Sequence, residues 1–91
     1  MPTVKIPPVL RAQTGGASEL EASGSTVGEA LQALAEAHPD TRDQLFSPDG
    51  ELNRYVNVYL NDEDVRVLDG LDTPASDADT VVILPAMAGG R

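Results

Sequence analysis

The chain closes on a strand that cannot lie at a sheet edge. Thr80 to Leu84 runs through Val81, Val82, Ile83 and Leu84 with no polar break. An unbroken aliphatic run marks a strand covered on both faces, whereas a half-exposed strand alternates. A closing strand that must be central has to insert among strands laid down earlier. Beside the first strand it gives a mixed sheet, and the connection across that sheet needs a helix.

The rest of the chain supplies those elements. Thr3 to Leu10 reads as a strand, with Val4 and Ile6 alternating against Thr3 and Lys5. Pro7 and Pro8 place its far part at a bulge or strand end. Gln13 to Gly16 is a turn, and Ser18 to Ala22 a return strand, so a hairpin opens the fold. Thr26 and Glu29 have the spacing of a capping box ahead of a helix. Val27, Ala30, Leu31 and Leu34 form its apolar face, and Pro39 ends it. Asp40 is the expected cap of a second short helix through Phe46.

Tyr55 to Leu60 alternates cleanly, with Val56, Val58 and Leu60 directed to the core and Tyr55, Asn57 and Tyr59 opposite. Asn61 to Asp64 is an acidic turn, Val65 to Val67 a short strand, and 68–79 irregular. The order of hairpin, helix, strand, short strand and buried final strand is that of an α+β, ubiquitin-like β-grasp domain over residues 1–85. An extended tail, 86–91, follows it.

Composition narrows the chemistry. With 91 residues the chain forms one small domain, and with aromatics at 3% its core is aliphatic. Six Lys and Arg against fifteen Asp and Glu give a net charge of −9. That balance opposes nucleic-acid binding and a polybasic membrane contact. It suits a partner protein with a basic groove, or serves solubility alone. The absence of Cys removes disulfides, thiolate nucleophiles and Cys-ligated metals, and His38 alone makes no zinc site. The apolar run falls far short of the ~20 residues that span a bilayer, and with no basic region followed by an apolar stretch ahead of the first strand, no signal peptide is expected. A soluble, cytoplasmic protein with no bound cofactor or metal is expected.

The tail carries the most unusual pattern. Leu84-Pro85-Ala86-Met87-Ala88-Gly89-Gly90-Arg91 takes a central strand into a run of small residues. Extended, Ala86 to Gly90 would reach roughly 17 Å, and two glycines enter a tunnel too narrow for a Cβ. A frayed terminus would have a similar composition. The Gly89-Gly90 ending, together with Val56 to Arg66, Ile6-Pro7, Leu10-Arg11 and Thr14-Gly15-Gly16, resembles the sulfur carrier proteins of the ThiS/MoaD family. The similarity is strongest to the branch serving cysteine synthesis in actinobacteria, and it covers nearly the whole chain.

The resemblance implies that the chain is not itself an enzyme but a protein co-substrate. Gly90 would be the acceptor. A partner resembling the ubiquitin-activating adenylyltransferases would use ATP to adenylate its carboxylate, and a sulfur donor would convert it to a thiocarboxylate. Ala86, Met87, Ala88 and Gly89 would thread that partner's tunnel, and Asp62, Glu63 and Asp64 would dock it. A pyridoxal-phosphate-dependent cysteine synthase, or another sulfur-accepting enzyme of a natural-product pathway, would receive the sulfur. A zinc-dependent peptidase would release cysteine or remove Arg91. Arg91 departs from the pattern, since it caps the Gly90 carboxyl as an amide. It is either trimmed or foreign to the natural chain. Alternative readings are a MoaD-like small subunit of molybdopterin synthase, a ubiquitin-like protein modifier, and a binding module without tail chemistry.

Overall fold

A computed structural model describes residues 1–54 and 56–85. Five strands form one sheet: β1 (Thr3–Lys5), β2 (Glu19–Glu21), β3 (Val56–Leu60), β4 (Glu63–Asp64) and β5 (Thr80–Pro85). Their order is β2-β1-β5-β3-β4. The final strand is therefore central, as its apolar run requires. It is not covered on both faces as expected: Val81 and Ile83 are buried beneath the helix over Val27–Ala37, whereas Val82 is half-buried and Leu84 is exposed on the other face. It pairs parallel with β1, Val4 opposite Val81, and antiparallel with β3, Val58 opposite Ile83. This is the β-grasp arrangement, with helix α1 (Val27–Ala37) packed across the sheet.

Alternation decides what the core contains. Val4, Val58, Val81 and Ile83 are at most 1% exposed and face α1, which presents Val27, Ala30, Leu31 and Leu34. Leu45, from the short helix α2 (Arg42–Leu45), and Phe46 close one end. Leu60 is half-buried against this cluster.

The N-terminus of α1 is capped from both sides. Thr26 Oγ1 accepts from Glu29 N–H at 3.1 Å. The Glu29 carboxylate accepts from Ser25 N–H at 2.8 Å and Ser25 Oγ at 2.9 Å, so the return arm closes one residue earlier than a standard capping box. Those bonds, the Ser25 backbone contribution first, hold Glu29 below the usual carboxylate range. The 70–75 segment is stitched alongside: Val27 N–H donates to Thr73 O and Ala75 N–H to Ser25 O.

Three local expectations give way. The first strand stops at Lys5, and Pro8–Thr14 is a 3-10 helix. Pro7 and Pro8 remove two donors and fix φ near the helical value, so the chain turns instead of extending. The pairing of Glu63 and Asp64 moves the short strand forward, and Val65–Val67 is a 3-10 turn. The reversal needs only Asn61 and Asp62, both at positive φ (56° and 120°), which makes a two-residue hairpin loop. Asp40 lies within a 3-10 turn, Pro39–Thr41; the N-cap of α2 is Thr41, whose hydroxyl donates to His38 O at 2.8 Å.

Candidate functional site: the root of the C-terminal tail

β5 delivers the chain to Pro85, opposite Val56 of β3. Asn61 N–H donates to Thr80 O at 2.9 Å, so the bonded pairs of this ladder fall at 61/80, 59/82 and 57/84. Val56 and Pro85 form a non-bonded pair, and Val56 N–H turns away to Asn53 O at 3.0 Å. Pro85 therefore ends the strand without orphaning a ladder acceptor on β3. β1 ends at Lys5, opposite Val82, and leaves the last residues of β5 bordered by a strand on the β3 side alone.

Two surfaces flank this root. On the core side, Ile83 and Val56 floor a small cleft of about 100 Å³ walled by Pro7, Val9 and Leu10. On the outer face, Val82 lies opposite Tyr59 and Leu84 opposite Asn57. Tyr59, Asp62, Val82 and Leu84 line a hollow of about 240 Å³, and Leu84 is 44% exposed. Arg66 spans the edge beside it, donating from Nη1 to Asn57 Oδ1 at 3.1 Å and from Nη2 to Asn53 O at 2.9 Å. Only the fold brings 53, 57 and 66 together.

The three acids of the hairpin separate by role. Asp62 and Glu63 are exposed. Asp64 is half-buried and caps the 3-10 turn, its carboxylate accepting from Arg66 N–H at 2.9 Å. No group of three metal-ligating side chains occurs among the described residues. Among the described residues no helix is long and apolar enough to cross a membrane. Gly90, the segment Ala86, Met87, Ala88 and Gly89, and Arg91 lie outside the described residues, as does Tyr55.

Comparison with known proteins joins the sheet order to the ending. The ThiS family matches residues 4–90, a stretch that includes Gly89-Gly90 and stops short of Arg91. The chain belongs to the ThiS family. It is 47% identical over 90 residues to the sulfur carrier protein CysO of Mycobacterium tuberculosis (strain ATCC 25618 / H37Rv), covering 97% of each chain. A chain of the Amycolatopsis orientalis BexX/CysO complex superposes with a TM-score of 0.90 at 44% identity, over 99% of this chain and 100% of that one. The small archaeal modifier protein 1 of Methanosarcina acetivorans gives 0.86 at 32%, over 97% and 94%. Fold and family are thus those expected from the closing strand and the Gly-Gly ending. The relatives bear the names of carriers and modifiers, not of catalysts.

Proposed function

We propose that this protein is a cytoplasmic sulfur carrier whose reactive group is the carboxylate of Gly90, freed by removal of Arg91. The observation that carries this reading is the family match ending on Gly90. In the first step a carboxylate oxygen attacks the α-phosphorus of ATP in an adenylyltransferase partner, and pyrophosphate leaves. In the second, a sulfide sulfur attacks the acyl carbon, the C–S bond forms as the C–O bond to AMP breaks, and a thiocarboxylate remains. The chain supplies reach and a protein handle; the partner supplies catalysis. The 47% identity to CysO favours a pyridoxal-phosphate-dependent cysteine synthase as the sulfur recipient, with a zinc-dependent peptidase releasing the product.

The test is intact mass after incubation with purified adenylyltransferase, ATP and sulfide. The chain ending at Gly90 should exchange one oxygen for one sulfur, and the chain retaining Arg91 should not. Equal conversion of both, with no trimming, would remove the reading. A ubiquitin-like modifier is the second reading, supported by the likeness to the archaeal modifier. It calls for an isopeptide bond between Gly90 and a lysine, which the same mass measurement on lysate-treated protein distinguishes.

A further inference from the structure

The far edge of the sheet carries a site independent of the tail. Among the described residues β2 is an edge strand paired only with β1. Ile6 N–H donates to Ser18 O at 2.8 Å and Ala22 N–H to Pro2 O at 3.1 Å, with Val4 opposite Leu20 between them. The bonded pairs are thus 6/18, 4/20 and 2/22. Glu19 and Glu21 occupy the non-bonded positions, and their backbone N–H and C=O groups point away from β1 to the open edge. A second strand can pair with them, roughly 7 Å apart along β2.

Beside this edge, between β2 and α1, lies a groove of about 240 Å³ lined by Leu20, Ala22, Ala33, Leu34, Ala37 and His38. The small side chains of Ala33 and Ala37 leave it open. Alternate side chains of a strand added at β2 would enter this groove, and the others would lie on the outer face beside the exposed carboxylates of Glu19 and Glu21. The groove, apolar apart from Glu21, Ser23 and His38, favours apolar side chains in the first set. On the outer face Glu21 and Glu19, the latter opposite Lys5, favour cationic ones in the second. We propose that the β2 edge and the β2–α1 groove dock an extended partner segment in which basic and β-branched residues alternate. A second copy of this chain fits poorly, because it would set Glu19 and Glu21 against their own counterparts.

The groove lies at the end of the sheet where β1 begins, next to Met1. β5 runs parallel to β1 and leaves by the opposite end. A partner held here leaves the root of the tail uncovered, so one protein can grip the carrier while another works on its end.

The probe is the peptide acetyl-Lys-Val-Lys-Val-Lys-Val-amide, titrated into the 15N-labelled full chain. Saturable amide shifts should concentrate at Glu19, Glu21 and Ala37, with slowed hydrogen exchange at Glu19 and Glu21. Glu21→Pro, which removes one outward donor, and Ala37→Lys, which adds a cation at the groove, should each weaken binding about tenfold or more. Ala37 is exposed at the helix C-terminus, where a cation is favourable, so that variant keeps the fold should Glu21→Pro lose it. A peptide with Glu in place of Lys should not bind. Shifts spread evenly over Asp49, Asp62 and Glu63, or undiminished affinity in Ala37→Lys, would overturn the proposal. Concentration-dependent broadening of the β2 amides without peptide would do the same, by making a second copy the occupant.

Discussion

Asn61 clamps Thr80 from both its backbone and its side chain: Asn61 N–H donates to Thr80 O at 2.9 Å, and Asn61 Oδ1 accepts from Thr80 N–H at 3.0 Å. The same amide donates from Nδ2 to Asp79 Oδ1 at 2.9 Å. A residue in the β3–β4 turn thus fixes where the central strand begins, 19 positions later. Asn is suited twice over, since its φ of 56° is left-handed and its side chain both donates and accepts.

Asn61→Gly should separate those two roles. Glycine keeps the backbone geometry but loses both side-chain bonds. At about 0.5–1.5 kcal/mol for each hydrogen bond, the expected loss is about 1–3 kcal/mol, measured by urea denaturation. Asn61→Ala should cost more, because a Cβ without a compensating amide must adopt positive φ. An Asn61→Gly variant as stable as the parent would show that the clamp contributes nothing.

Acid should loosen the same corner. The Asp79 carboxyl is held below its ordinary value of 3.8, first by the Asn61 side chain and then by Ser76 N–H. A carboxylate with a lowered folded pKa adds stability above its unfolded value, and that stability is lost as pH falls through the folded one. Hence the contribution is complete above about pH 5 and fades below 3.8. Protonation also relieves self-repulsion in a chain of net charge −9, which acts in the opposite direction. Comparing melting temperature against pH for the parent and Asp79→Asn isolates the local effect. The variant should have the shallower acid limb, and parallel limbs would contradict the assignment.

Gly28 should not tolerate alanine, although it lies inside α1. A Cβ there would meet Leu71 O at 2.9 Å and Leu71 Cβ at 3.0 Å. In an unhindered helix the change would stabilise by about 1 kcal/mol. Here the 3-10 turn Gly70–Asp72 must move away, and backbone gives poorly. A lower melting temperature for Gly28→Ala is the expected result, and a higher one would show that the turn yields freely.

If Asp62 and Glu63 dock the activating partner, association should slow as salt rises. Asp62→Asn, which removes the charge but keeps a residue type tolerated at the positive φ there, combined with Glu63→Lys should lower the on-rate while leaving the melting temperature nearly unchanged, since both side chains are exposed. Asp64 belongs outside that test, because its carboxylate caps the turn at Arg66. An association rate flat across salt would remove these two acids from docking.

The tip should be sensitive to length. Truncation after Gly89 would stop the carboxylate one residue, about 3.5 Å, short of the α-phosphate. Reacting atoms must approach to about 3–3.5 Å, so single-turnover adenylation should fall by orders of magnitude relative to the Gly90-ending chain. Comparable rates for the two would refute the threaded geometry.

Local pattern alone was enough to place the centre of the molecule. An unbroken Val81–Leu84 run marks a central strand, and alternation in Val56–Leu60 tells which side chains reach the core; only the structure shows that the outer face of the sheet stays partly open, with Leu84 44% exposed. The helix was equally legible, because its cap and its 3.6-residue periodicity are local signals. So was the family, carried by a Gly-Gly ending after an apolar strand. What escaped were features set by contacts between distant segments. Nothing near Gly28 in sequence announces the Leu71 carbonyl, and nothing near Arg66 announces Asn53 and Asn57. The first strand lost its second half because two prolines beside a short return strand cannot sustain a ladder. The acidic hairpin looked uniform as sequence, yet tertiary structure committed Asp64 to a cap and left Asp62 and Glu63 in solvent. Local pattern fixes which face a side chain takes; which polar partner it meets depends on where the rest of the chain returns.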